Sequence, residues 1–359
     1  MNLKKSFALA LLASCTLLSV AQAKTVEMPK NAVGPAEIAV LLPGFSQDNG
    51  FMNAGYRGYQ RIATKITPNV KCVSDVSATS DRKVLTDELR LLAQEGPKFI
   101  IAHGGQCNGP VSVISKEFPN IQFVVIQGNV KSENVASYRV NQVQSAYLAG
   151  ALAGYMTKTG KVGHISGAWP QPGLNARAAF YDGLKSVRPD AKFYTHFTGN
   201  LDSNEINAKA AEGEIAQGVD VIYTMLNGGR FGVNDVIAKT KGKVVEIGNV
   251  IDWTKESKIF IGSAVADSSE AISGAAMDYK NGAFTPNSIS TIGLEDKSIV
   301  RLAMSKKVPK KVRIAIEKLT EDVLSGKVTI NTKYDGLEFN PTTGEFENQA
   351  AKEARKNKK

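Results

Sequence analysis

Short apolar runs alternate with amphipathic segments along most of the chain. Residues 36–42 form a near-continuous apolar stretch of strand length, and 50–65 follow with helical periodicity. Strands are predicted again at 70–76, 99–102 and 121–126. Helices fall between them at 81–95, with Leu85, Leu89 and Leu92 on one face, and at 109–118. A second series then begins with a helix over 142–157, a strand over 161–166, a helix over 174–187 and a strand over 191–197. The next helix starts at Asp202, with Glu205 three residues on as in a capping box. A strand at 219–224, a helix at 231–239, strands at 244–247 and 259–265 and a helix at 267–280 complete the pattern. Strands that alternate with helices predict parallel sheets with right-handed crossovers, and unbroken apolar strands predict cover on both faces. The reset near 135–141 predicts two α/β lobes rather than one large sheet. Residues beyond 325 read as irregular, and the last ten are expected to lie outside the folded body.

The first 23 residues carry a different signal. Lys4 and Lys5 precede an apolar run over 7–20, which ends at Ala21-Gln22-Ala23. A basic start, a short apolar segment and an A-x-A site describe a secretory signal peptide, too short to span a bilayer. Cleavage after Ala23 would leave 336 residues in an exported compartment, the periplasm. Leu12-Ala13-Ser14-Cys15 is an alternative lipobox, in which Cys15 would carry a lipid anchor. The residues after it stay apolar, which favours cleavage. No later run of 18 apolar residues predicts a membrane span.

That length exceeds one ordinary core. The hydrophobic fraction of 43% and charged fraction of 22% are those of a globular protein. The net charge of +10 is weighted toward the C-terminal part, at Lys306, Lys307, Lys310 and Lys311 and at Lys352 to Lys359. No aromatic residues interleave with these lysines, so a solvated face is expected and nucleic acid is not an expected partner. Cys72 and Cys107 could form a disulfide in an oxidising compartment, although the inferred strand order puts another strand between them. His103, His164 and His196 lack metal-ligand spacing, and neither a metal nor another cofactor is expected.

Ligands on open parallel sheets gather at the carboxyl ends of the strands. There the chain places Phe45, Ser46, Asp48, Asn49 and Phe51 after the first strand, and His103 and Gly104 after the third. The second half contributes Trp169, Asn227, Arg230, Phe231, Asn249 and Asp252, with Trp253 beside the last. Flat rings, amides, a few carboxylates and glycines suit a small planar ligand, held by stacking and read along its edge. Each residue also has a plain structural role open to it: Asp48 could cap the following helix, and Phe45 or Phe51 could be core. Enzyme signals are weak. No G-x-S-x-G or H-E-x-x-H is present, and Thr159-Gly160-Lys161 lacks the upstream glycine of a Walker motif. No catalytic residue is assigned.

Asp48-Asn49-Gly50-Phe51 with Gly58, Tyr147-Leu148-Ala149-Gly150, Thr159 to Gly163 and Gly218 to Ile222 together resemble the basic membrane protein family of ABC-transporter substrate-binding proteins. The resemblance covers nearly all of the exported chain. It implies a type I periplasmic-binding fold: two doubly wound parallel-sheet lobes joined by hinge strands, with a purine nucleoside or base clamped between aromatics. By resemblance Asp48 and Phe51 lie on the binding loop, and Phe231 offers a ring from the second lobe. The chain departs from the family at Met52, at Val250 in place of an Asp, and over Ser263 to Ala266, where a Lys is lost. These departures point toward a free base or another planar heterocycle rather than a standard nucleoside.

The expected organisation is therefore a signal peptide at 1–23, a leader at 24–35, lobe 1 at 36–137 plus about 258–285, lobe 2 at 138–257 plus about 286–335, and a tail at 336–359. The expected function is a periplasmic binding protein that hands a purine-like ligand to an inner-membrane permease, working as a monomer and not as an enzyme. A binder of a sugar or other polar metabolite is the alternative. A secreted nucleoside hydrolase, using Asp48, Asp252 or Asp267, is a third possibility.

Overall fold

A computed structural model describes residues 24–76 and 81–348. The expected signal peptide and Cys15 lie outside the described residues, as do 349–359. Among the described residues no helix is long and apolar enough to cross a membrane.

The first half builds β1 (Thr25–Glu27), β2 (Ile38–Leu41), α1 (Phe51–Lys65), β3 (Val70–Ser74), α2 (Arg82–Gln94), β4 (Phe99–His103), α3 (Asn108–Glu117), β5 (Gln122–Ile126) and β6 (Val135–Val140). The second half builds α4 (Gln142–Met156), β7 (Lys161–Ser166), α5 (Gln171–Val187), β8 (Lys192–Phe197), α6 (Asn204–Ala216), β9 (Val221–Met225), α7 (Arg230–Lys239), β10 (Val245–Val250) and β11 (Phe260–Ala266). Then come α8 (Ser268–Lys280), β12 (Ile289–Ile292), β13 (Val300–Met304), α9 (Lys310–Leu324), β14 (Glu338–Phe339) and β15 (Phe346–Glu347).

Two sheets result. The first runs β1-β3-β2-β4-β5-β6-β12 and is parallel except for β1, which lies antiparallel on β3. The second runs β13-β11-β10-β9-β7-β8 and is parallel except for β13. The central strands β2, β4 and β9 are buried along their whole length, as unbroken apolar runs predict. Helix α4 is apolar on every side and sits inside the second lobe, packed on α5, α9, β11 and β13. Glycine permits its contact with α5. A Cβ on Gly150 would stand 1.9 Å from the Phe180 carbonyl O, and one on Gly183 1.9 Å from that of Tyr147.

The chain crosses between lobes three times: after β6, between β11 and α8, and between β12 and β13. The crossings lie side by side. The Asn141 N–H donates to Ile292 O at 2.8 Å, and the Asp267 N–H to Ile299 O at 2.9 Å. This geometry moves the expected lobe boundaries. β11 belongs to the second sheet, so the return to lobe 1 falls at Asp267 and not near 258. β12 joins the first sheet, so residues from 286 do not pass directly to lobe 2. Strands β6, β12 and β13 and helix α9 were not among the predicted elements. The leader contributes β1, and the expected tail begins with the hairpin β14–β15, which packs on β8. Arg177 of α5 anchors that hairpin through Glu338 at 3.5 Å, with its guanidinium 4.2 Å over the Tyr334 ring. Cys72 and Cys107 are both free and buried in separate cores, one on each face of the first sheet.

Candidate functional site

The two lobes meet at the carboxyl ends of their strands, where the loop after β2 touches the loop after β9. Gly50 lies directly under Asn227: a Cβ on Gly50 would stand 2.0 Å from Asn227 Oδ1. Only glycine lets the second loop seat this closely. Gly228, next along, approaches the Asp48 carbonyl and donates its N–H to Asp202 Oδ1 at 3.1 Å.

Asp48 builds the first-lobe side of this contact. Its Oδ1 accepts from the Gly50 N–H at 2.7 Å and the Asn53 N–H at 2.9 Å, and its Oδ2 from the Met52 N–H at 3.2 Å. It therefore caps α1. Burial holds its carboxyl above the ordinary value, against the pull of those three N–H groups, and nearby Asp202 pushes the same way. Asn49 takes a left-handed conformation at φ 55° so that the loop can turn into the helix. Ser46 is buried, with its N–H on Asp75 Oδ1 at 2.9 Å and its carbonyl on the Asn53 amide at 3.0 Å. Phe45 is 47% exposed at the loop tip.

Phe51 opens α1 and is half-buried. Its ring lies on that of His103, centroids 4.0 Å apart and 22° from parallel. His103 itself is fully buried, its Nε2 2.9 Å from the Phe51 carbonyl O and its Nδ1 unpartnered. Burial lowers its pKa to about 4, so it is neutral at pH 7 and its Nε2 donates to that carbonyl. This corrects the expectation that His103 contacts ligand: the last residue of a central strand points under α1. Gly104 follows at φ 106°, its N–H on Ile126 O at 2.9 Å.

On the second lobe, Trp169 is 39% exposed and stacks on Phe197 at 5.4 Å, and Phe231 is 43% exposed in the first turn of α7. Arg230, beside it, is the second correction. It is fully buried, with Nη1 bonded to the Thr224 hydroxyl and 3.2 Å from Glu246 Oε1, and Nη2 on Leu226 O at 3.0 Å and on Asn249 Oδ1. Its guanidinium stands 4.6 Å over Trp253, which in turn donates its indole N–H to Asn249 O at 3.0 Å. An arginine at the start of α7 meets a glutamate in the strand beneath, so the charge is spent inside the lobe. Burial pushes Glu246 up to about 7 despite Arg230 beside it. Asn249 is thereby tied into a loop scaffold. Asp252 caps the turn at 253–255 through the Thr254 N–H at 3.1 Å and lies 3.9 Å from Arg301.

The carboxylates considered for hydrolysis share one structural role: Asp48, Asp252 and Asp267 are all caps. Thr159-Gly160-Lys161 sits at the opposite, amino edge of the second sheet, where Asp220 accepts from the Lys158 and Thr159 N–H groups at 2.7 and 3.1 Å. Among the described residues no cluster of His, Cys, Asp or Glu could hold a metal.

Sequence reasoning missed the structural roles of three residues. Asp202 and Asp75 brace the meeting loops, and a carboxylate just past a strand end was the available signal. Val250, at the end of β10, has φ 68°, which is strained for a β-branched residue. No sequence pattern marked that strain.

Comparison with known proteins agrees with this architecture. A model of the Bmp family, described as ABC transporter substrate-binding protein PnrA-like, matches residues 36–333. The ABC transporter nucleoside-binding protein BmpA of Lactococcus lactis is 26% identical over 257 residues, 67% of this chain and 73% of that protein. A purine-binding protein of Brucella abortus is 29% identical over 138 residues, 37% of this chain and 38% of that one. The transcriptional activator protein med of Bacillus subtilis is 24% identical over 187 residues, 52% of this chain and 57% of its own length. Among solved structures, an ABC transporter solute-binding protein from Aeropyrum pernix superposes with a TM-score of 0.72 at 18% identity, covering 84% of this chain and 94% of that one. The two-lobed α/β fold is thus that of periplasmic-type solute-binding proteins, and this chain belongs to the Bmp family of ABC-transporter substrate-binding proteins.

Proposed function

We propose that the protein binds a purine-like planar heterocycle between its lobes and presents it to an inner-membrane ABC permease from the periplasm. The observation that carries this reading is Phe51. It is half-buried, backed face-on by a neutral His103, and begins the residue after Gly50, where the lobes touch. A ring held flat by a second ring is a preformed stacking surface. Phe231 and Trp169, exposed on the second lobe, are the rings available to form an opposite wall. Asn227 and Asn49 supply edge-reading amides. The names of two relatives, a nucleoside binder and a purine binder, support the same ligand class.

The arrangement suits capture by closure. A ligand that touches both lobes stabilises the state in which Gly50 and Asn227 meet, and the closed form is what a permease distinguishes. Binding asks for no bond making, so the protein is read as a carrier and not an enzyme.

A thermal-shift screen of nucleobases, nucleosides and sugars tests this. A ligand at a hundred times its dissociation constant stabilises by about 2.7 kcal/mol when it binds the folded state alone. Purine bases are expected to give the largest shift. A shift with sugars and none with purines overturns the ligand assignment.

A further inference from the structure

The amino edge of the second sheet, at the far end from the site, is lined with exposed lysines that meet no acid among the described residues. Because β7 to β11 are parallel, the turns entering them share one edge, and β13, being antiparallel, ends there too. Exposed lysines occupy most of these turns. Lys158 precedes β7, Lys192 opens β8, and Lys241 and Lys243 precede β10. Lys258 precedes β11 and lies against the turn after β13, where Lys307 Nζ donates to its carbonyl at 2.7 Å. That turn carries Lys306 and Lys307 and continues into Lys310 and Lys311, all exposed. Five inter-strand spacings make the row about 24 Å long.

Acids do little to offset it. The Asp220 carboxylate is taken by the Thr157 hydroxyl and two backbone N–H groups, and Asp190 faces Arg188 at 3.1 Å. Glu212, Glu256, Asp235 of α7 and Glu317 of α9 are exposed acids of the same lobe, fewer than the lysines of the row. The first lobe differs. Around its amino edge Glu37 meets Lys280 at 2.9 Å and Lys71 meets Glu95 at 2.5 Å. Helix electrostatics explain part of the row, since α4 and α7 end here and Lys158 and Lys239 face their negative poles. They do not explain Lys310 and Lys311. These sit in the first turn of α9, which has no acid there and no side-chain cap, so they oppose the helix dipole.

We infer that this edge is a docking surface for an anionic bilayer. A row of turns along a sheet edge presents charge to a plane. Tyr155, 42% exposed in the last turn of α4 beside Lys158, adds a ring suited to headgroup depth. Unpaired lysines within a Debye length of acidic headgroups are each attracted to them, and the attraction fades with salt. Contact through this pole concentrates the protein at the membrane surface, and delivery to a permease requires it to let go and turn its site toward that membrane. The inference stands apart from the ligand assignment, because neither the surface nor its test involves a ligand.

The test is co-sedimentation of the protein with vesicles of phosphatidylcholine, with and without phosphatidylglycerol, at low and high salt. The expected result is a preference for the anionic vesicles that high salt removes. Reversal of four lysines, Lys306→Glu, Lys307→Glu, Lys310→Glu and Lys311→Glu, is expected to cut that preference more than about tenfold. A second variant, Lys241→Glu with Lys243→Glu, is expected to cut it less, and circular dichroism and melting of both check that the fold is intact. Equal sedimentation with both vesicle types, a preference unchanged in a folded reversal variant, or retention on duplex DNA without retention on vesicles overturns the inference.

Discussion

His103 lies flat beneath Phe51, with ring centroids 4.0 Å apart, and its Nε2 stands 2.9 Å from the Phe51 carbonyl O. One side chain thus fixes both the ring and the backbone of the residue on which ligand stacking is proposed. His103→Ala is expected to leave Phe51 free to tilt and to weaken purine binding about tenfold, with stability reduced by roughly 2–4 kcal/mol from the cavity. His103→Phe keeps a ring but loses the hydrogen bond. Calorimetric titration of both variants separates the two contributions.

The same histidine sets a pH dependence. Burial lowers its pKa to about 4 in the folded state, against 6.5 in the unfolded chain. Between those values the unfolded state binds the proton and the folded state does not. Stability is therefore fully present above pH 6.5 and falls as pH drops toward 4, by about 3 kcal/mol in total. Glu246, raised to about 7, acts in the opposite sense over part of this range. The measurable quantity is thus the difference in urea midpoint between the parent and His103→Gln across pH 4 to 7. A difference independent of pH contradicts the account.

Gly50 and Asn227 form the contact that defines closure. A Cβ at position 50 would fall 2.0 Å from Asn227 Oδ1 and 2.6 Å from its Cγ. Gly50→Ala is expected to disfavour the closed state and to weaken ligand binding about tenfold or more, mainly by faster release, while thermal stability without ligand changes little. Asn227→Gly in the same background is expected to restore closure, but not the share of affinity that the Asn227 amide supplies. Stopped-flow binding and small-angle scattering read the two effects.

Arg230 is a stability residue. Its guanidinium is fully buried against Glu246, Asn249 and Trp253. Arg230→Met leaves Glu246 buried without its partner and is expected to cost about 3–5 kcal/mol. The double variant Arg230→Met with Glu246→Leu removes both charges and is expected to recover a large part of that loss. Chemical denaturation measures both. A single variant as stable as the parent contradicts the buried-network assignment.

The regions that read clearly from the sequence and those that did not differ in physical kind. The βα series was legible because buried parallel strands are unbroken apolar runs, and β2, β4 and β9 show that pattern. The interlobe crossings were not. β12 is largely exposed and β6 carries Arg139 and Tyr138, so neither has the apolar density of a core strand. The site was partly legible. Asp48 and Phe51 stood out as polar and aromatic residues after a strand, and Asp48 was recognised as a possible cap. Arg230, in the loop region after a strand, and His103, at a strand end, read as ligand contacts because a charged or titratable residue in such a place is ordinarily exposed. Here the neighbouring Glu246 and the overlying Phe51 satisfy them inside the fold.

The most direct test of the central claim is isothermal titration of adenine, guanine and hypoxanthine into the parent protein and into Phe51→Ala. Micromolar or tighter binding of at least one base is expected, weakened at least about tenfold by loss of the ring. No heat with any purine, or equal affinity in parent and variant, contradicts it.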